Sequence, residues 1–276
     1  MALDNNPLKQ YFRRPALHLK LPSGGAGYAP GIINFPDTGE LPIYPMTAID
    51  EITAKTPDAL FNGSAVAELI KSCVPNIIDP WSVNSYDLDA ILIAIKAASQ
   101  GNDLEIDSQC PKCEEISSYG VNLMGVLAGM KPGDYTKELS LGDLSIKFRP
   151  LQYREMNEAS LGQFELQKMF TTLTQIQDET EKAKRSQEAV KTITEVTMGI
   201  LAKTIEYVKT PGTTVTDTNY ITDFLKSCDN NMFVAIRDYH AKLKETTEMK
   251  PLKIKCIHCQ NEYDQPFTLN ASDFFA

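Results

Sequence analysis

The chain has 276 residues, 27 Lys+Arg against 36 Asp+Glu for a formal net charge of −9, and is 42% hydrophobic and 23% charged. That length suits about two domains and a core that needs no disulfide staples, and six cysteines are too few for a disulfide scaffold. The acidic balance excludes wholesale wrapping of nucleic acid, which takes many cations to replace phosphate counterions. The longest aliphatic run, residues 90–95, falls far short of the roughly 20 residues of a bilayer span. No apolar signal core opens the chain, so synthesis in a cytoplasm is expected.

Residues 1–46 hold seven of the sixteen prolines (Pro7, Pro15, Pro22, Pro30, Pro36, Pro42, Pro45), interleaved with Gly24, Gly25, Gly27, Gly31 and Gly39. Proline removes backbone donors and glycine raises the entropy cost of ordering, so no normal helix or central strand is expected. Apolar anchors such as Tyr11, Phe12, Leu19, Leu21, Ile33, Leu41 and Ile43 recur through it. The segment reads as an extended arm draped over a surface, its own or a neighbour's.

Residues 47–101 read as a small helical domain. Thr56-Pro57-Asp58 is a helix start, Asn62-Gly63 a stop, and Ser64 a cap for the next helix. After Ser85, the residues Leu88, Ile91, Leu92 and Ile95 recur at helical spacing up to a C-terminal Gly101. Residues 102–150 switch to alternation around a Cys-Pro-Lys-Cys turn, and Gly142-Asp143 marks a further hairpin between 136–141 and 144–149. Residues 151–208 form the longest helical tract, running through Ile205 and Val208. It is either an α-hairpin with Asp178 capping the second helix or one long helix with a polar middle. A packed bundle is favoured over a coiled coil there, because no clean heptad persists. A loop at 210–217 precedes helix over 218–246, broken near Asp229-Asn230-Asn231. Alternation returns at Leu252, Ile254 and Cys256. A Cys-Ile-His-Cys turn follows, then a strand over 263–269 held to an edge by Pro266.

Chemistry concentrates in two C-x-x-C pairs, Cys110/Cys113 and Cys256/Cys259, each at the apex of a strand–turn–strand pattern. Two thiolates at that spacing reach one tetrahedral ion at about 2.3 Å, and two such knuckles make a four-cysteine zinc ribbon. Here 142 residues, 114 to 255, separate the pairs, against roughly 15–20 in a compact ribbon. The reading is therefore α+β: a helical domain (151–250) inserted into a split zinc ribbon (102–150 and 251–276), with the arm in front. Structural Zn2+ on the four cysteines is favoured over unmetallated thiols and over a redox or disulfide pair. Neither C-x-x-C opens a helix, and a site closed by four thiolates leaves no position for catalysis. His258 and Lys112 sit equivalently inside the two turns and should point outward; Cys73 and Cys228 read as small buried hydrophobes.

Enzyme chemistry is missing from the sequence. Only three histidines occur, His18, His240 and His258, and no G-x-S-x-G, P-loop, H-E-x-x-H or G-x-G-x-x-G appears. Asp79, Asp87 and Asp89 read as helix caps and solvated faces. Lys9, Arg13, Arg14 and Lys20, with Tyr11 and Phe12, make a basic start that suits an acidic protein as well as nucleic acid.

Several stretches carry a resemblance: NPLKQYFRRPALHLKLPS, TGELPIYPMTAIDEI, KTPDALFNG, SCVPNIIDPW and DLDAILIAIK, followed by the two C-x-x-C pairs. Together they resemble the baseplate hub assembly protein family of T-even-type contractile-tailed phages, most clearly over residues 5–125 and again at the second knuckle. The resemblance implies a non-enzymatic tail-morphogenesis protein of the virion, made in the host bacterial cytoplasm. It could be an assembly chaperone or a baseplate component, and the anchored arm favours the component. The implied partners are other baseplate and tail proteins and its own copies in a symmetric ring; the lack of an apolar span speaks against a membrane and the charge of −9 against nucleic acid. The rival is a zinc-ribbon adaptor on nucleic acid or a nucleoprotein machine. The mixed flanks, Glu114, Glu115 and Glu262 against Lys253 and Lys255, oppose it.

Overall fold

A computed structural model describes residues 6–56, 63–173, 178–247 and 249–267. The fold mixes helices and strands and divides into two compact units. One holds residues 1–80, 87–130 and 249–276; the other holds 81–86 and 131–248.

In the first unit the Pro- and Gly-rich start is not a free arm. A 3-10 turn, Pro7–Tyr11, leads to β1 (Leu17–Leu19), which pairs antiparallel with β2 (Leu41–Ile43), Leu19 opposite Leu41. Leu41 and Ile43 are fully buried and Leu21 nearly so. For residues 17–43 the surface it drapes over is therefore the chain's own, one of the two that the sequence leaves open. Alternating apolar anchors on extended backbone need only one neighbouring strand to become core. The loop between the strands is tied down by Asp87, whose carboxylate accepts hydrogen bonds from the Ser23 amide (2.9 Å) and the Tyr28 hydroxyl (2.7 Å). Asp87 is fully buried, and burial raises its pKa against the pull of those two donors. It is an anchor, not the cap or solvated face that its helical position suggested.

Arg13 is likewise structural. Its guanidinium donates to the carbonyls of Pro45 (2.6 Å) and Ser72 (2.8 Å), to the Ser72 hydroxyl (2.8 Å) and to Asp50 Oδ2 (3.2 Å). Asp50 lies in α1 (Ala48–Ala54), where it forms a capping box with Thr47. The helix start expected at Thr56-Pro57-Asp58 falls on 57–62, outside the described residues. In α2 (Ser64–Cys73) the cap is Gly63, at φ 77°, rather than Ser64, which is the first helical residue. A left-handed entry is one that only glycine adopts freely. α3 (Ser85–Gln100), in this unit from Asp87 onward, ends at Gly101 with φ 95°, as the spacing predicts. Beyond the expected stripe it also buries Ala90, Ile93 and Ala94, which makes it a helix buried almost all round.

The rest of this unit is two hairpins. β3 (Asp103–Gln109) pairs with β4 (Ile116–Asn122), and β9 (Leu252–Lys255) with β10 (Glu262–Gln265). β10 stops before Pro266, short of the strand read through 269; residues 268–276 lie outside the described range. A short helix that the sequence pattern does not signal, α4 (Leu123–Gly129), follows β4, and the Asn122 side chain caps it on the Gly125 amide (2.9 Å).

The second unit carries a four-stranded antiparallel sheet, β5 (Glu138–Leu141), β6 (Leu144–Phe148), β7 (Ile205–Lys209) and β8 (Thr214–Val215), in that order. The hairpin at Gly142 is as expected. The helical tract is not continuous to Val208. It is α5 (Tyr153–Leu173) and α6 (Glu179–Lys203), antiparallel, with Lys203 bridged to Glu158 (2.6 Å) and Asp178 capping α6. Ile205 and Val208 belong to β7, where a register shift against Lys147 and Phe148 of β6 leaves both buried although they stand three residues apart. The helical and strand periods overlap over so few residues that pairing with β6 decides between them. α7 (Thr218–Ser227) and α8 (Asn230–Thr247) break where expected. The core gathers Ile146 and Phe148 of β6, Leu201 and Ala202 of α6, Ile205 and Val208 of β7, and Ile221, Leu225, Ile236 and Leu243 of the last helices. Residues 81–86 join this unit through Trp81 stacked on Tyr153 at 5.1 Å and the Tyr153 amide on the Val83 carbonyl (2.8 Å).

Candidate metal centre

Both hairpins turn in the same way. The Cys110 amide donates to the Glu115 carbonyl (3.0 Å) and the Glu114 amide to the Cys110 carbonyl (2.9 Å). In the second hairpin the Cys256 amide donates to Asn261 (2.9 Å) and the Gln260 amide to Cys256 (3.0 Å). The residue after each second cysteine, Glu114 and Gln260, takes a left-handed conformation, φ 61° and 59°. These are the two non-glycine residues with positive φ among the described residues. Neither residue type favours that region, so composition gives no signal of it. The strain is borne at both turns to bring the second sulfur back toward the first.

The hairpins are cross-linked by side chains. The buried Ser108 hydroxyl donates to Gln265 Oε1 (2.6 Å), which leaves Tyr263 to donate its phenolic proton to Ser108 (2.9 Å). Pattern reading misses this bridge, because serine in a strand ordinarily faces solvent.

The four sulfurs converge. Their ligand atoms all lie within 4.8 Å of one another, with Cys110 Sγ 3.6 Å from Cys259 and Cys113 Sγ 3.7 Å from Cys256. Those two contacts each join one hairpin to the other. A disulfide would need about 2.05 Å. A tetrahedral thiolate site with metal–sulfur bonds of about 2.3 Å has sulfur–sulfur edges of about 3.8 Å, so the spacing fits a metal ion. Cys110 and Cys256 are buried; Cys113 and Cys259 are half-buried.

Electrostatics around the sulfurs are polarised. Burial pushes the Cys110 thiol up, but the amides of Cys113 and Lys112 and the neighbouring sulfurs outweigh it and bring it down to about 6. Cys256 is lowered too, first by the Cys259 amide. For Cys113 the Glu115 amide lowers the pKa, yet burial and the sulfurs of Cys259, Cys256 and Cys110 prevail and push it up to about 12. The turns thus favour thiolate on the first cysteine of each pair, and four thiolates together need a cation between them.

The remaining candidates are scattered. His258 and Lys112 are exposed at matching turn positions. His18 is exposed on β1, and His240, in α8, stacks on Phe148 at 6.1 Å with its pKa lowered by burial and by Lys244. Cys73 is fully buried, and burial pushes its thiol up to about 11, as suits a small core residue. Cys228 is half-buried. Among the described residues no helix is long and apolar enough to cross a membrane.

A family model described as T4 bacteriophage base plate protein matches residues 18–276. No curated protein and no solved structure matches the chain.

Proposed function

This chain belongs to the T4 bacteriophage base plate protein family, and on that premise we propose that it is a non-enzymatic component of the hub region of a contractile tail baseplate. It acts through protein–protein contacts with other baseplate and tail proteins and with its own copies in a ring. It is made in the host cytoplasm and retained in the virion. The observation that carries the reading is the family match across residues 18–276, which spans both cysteine turns and everything between them.

The architecture read from this is a zinc ribbon whose two halves flank an inserted unit. Cys110, Cys113, Cys256 and Cys259 would hold one Zn2+, and the sulfur spacing of 3.6 and 3.7 Å supports that assignment. Zinc closed by four thiolates supplies a cross-link between residues far apart in the chain and no open position for substrate. The chain's own residues prepare the site: the turn amides hold charge on Cys110 and Cys256, and the Ser108–Tyr263–Gln265 bridge holds the hairpins in register.

Two measurements test the reading. Mass spectrometry of purified phage particles should find the chain at a fixed stoichiometry; its absence from particles that carry a full baseplate would refute retention in the virion. Metal analysis of protein purified without added zinc should give about one equivalent, and a value well below one would refute the zinc site.

A further inference from the structure

β4 and β9 each pair with one strand only, so each leaves a second edge unpaired among the described residues. Such an edge exposes N–H and C=O groups at every second residue. The two strands line a common groove of about 460 Å³, β4 with Tyr119–Asn122 and the second hairpin with 249–255, including β9. Val126 and Gly129 of α4 close it along with Met130. All of it lies within the first unit.

From the groove we infer that this unit binds an extended acidic peptide of another baseplate protein, added as a strand along the β4 and β9 edges. The inference rests on the proposed role in protein–protein contacts. Three features specify the occupant. The unpaired backbone calls for a partner that offers its own N–H and C=O groups in extended form. The lining includes the aliphatic Val121, Leu252 and Ile254, which suits alternate aliphatic side chains on the incoming strand. The charged residues among the described lining are Lys250, Lys253 and Lys255, in a chain whose net charge is −9. Lys255 lies 3.8 Å from Glu262 and Lys253 stands opposite Asp264 across the hairpin, while both Lys250 and Lys253 are exposed and bid for acidic residues on the partner.

The test uses the full metal-loaded chain and twelve-residue peptides tiled across the other baseplate proteins of the encoding phage. A cation in the groove should select acidic tiles with alternating aliphatic residues, and their binding should slow hydrogen exchange at the amides of 119–122 and 252–255. Two variants probe the site. Gly129→Trp fills the groove from a position with open space beyond its Cα, and Lys250→Glu with Lys253→Glu reverses its charge. Each should weaken the selected tiles at least tenfold and leave the metal content unchanged. If no tile binds, if binding survives both variants, or if protection falls elsewhere, the inference fails. If a twenty-residue oligothymidine protects these amides and no tile does, the groove serves nucleic acid and the inference fails. Incorporation into particles separates this outcome from the parent reading. A wild-type chain present in particles alongside a failed groove test leaves the baseplate role standing. A chain absent from particles removes that role itself.

Discussion

The unit around residues 131–248 and the cysteine hairpins hold short strands together by different means. In the former, four strands and four helices close over Ile146, Phe148, Ile221 and Ile236, each 1% exposed or less. In the latter, β3, β4, β9 and β10 and the residues just beyond them bury Val121, Leu123, Ile254 and Phe267 and, beyond these, Cys110, Cys256, Ser108 and Ser117. A two-stranded hairpin is marginal in water on its own. The hairpins therefore depend on what joins them to each other, the four sulfurs and the Ser108 bridge, while the sheet unit depends on buried area.

The largest expected effect breaks the hairpins alone. Chelation, or Cys256→Ser, should cost about 5 kcal/mol or more of local stability, since structural metal binding is folding free energy. Hydrogen exchange should show protection lost across β3, β4, β9 and β10 and retained at β6 and β7. Loss at both places together would erase the contrast. The converse substitution, Phe148→Ala, should cost about 3–5 kcal/mol by opening a cavity, read as a lower urea midpoint with metal content unchanged. Leu41→Ala belongs to the same class at about 2–5 kcal/mol. A cost under about 1 kcal/mol there would return the N-terminal segment to the status of a detachable arm.

A smaller effect concerns Arg13 and Asp50. Burial raises the Asp50 pKa, but the Thr47 amide, the Ser72 and Thr47 hydroxyls and Arg13 outweigh it, so the net shift is downward. A carboxyl lowered on folding stabilises above its unfolded value, about 3.9, and that contribution disappears as pH falls through the lower folded value. Arg13→Ala should cost about 2 kcal/mol at pH 7, and its deficit should narrow when urea unfolding is repeated near pH 3. A deficit independent of pH would place the cost in the carbonyl contacts of Pro45 and Ser72 instead. The smallest effect is expected at the turn tips: His258→Ala and Lys112→Ala should each stay within about 0.5 kcal/mol, with metal stoichiometry unchanged.

How much of this was legible in advance differs between the same regions. The two cysteine turns are legible, because a C-x-x-C turn between alternating strands has few other meanings, whereas the end of β10 at Gln265 and the Ser108 bridge are not. The break at Asp229-Asn230-Asn231 falls where α7 gives way to α8. The Ile205–Lys209 strand is not legible, since its apolar spacing extends the helical stripe before it. The role of Asp87 is hidden for a related reason. Its place in the first turn of a helix says that it favours the N-terminus, and nothing local says that a glycine-rich loop sixty residues earlier will close over it.

Short-range chemistry was therefore written in the sequence: the Asp178 cap, the turn at Gly142, the left-handed Gly101 and the two cysteine turns. Each depends on residues within about one turn of one another, so local energies decide it. The tertiary structure alone decided that the anchors Leu19, Leu21, Leu41 and Ile43 of the proline-rich start pack on the chain's own core and that β7 is a strand. It also decided that two turns separated by 142 residues place four sulfurs within 4.8 Å. Those outcomes depend on contacts between distant segments, where the entropy of closing the loop is set against burial that only the assembled fold provides.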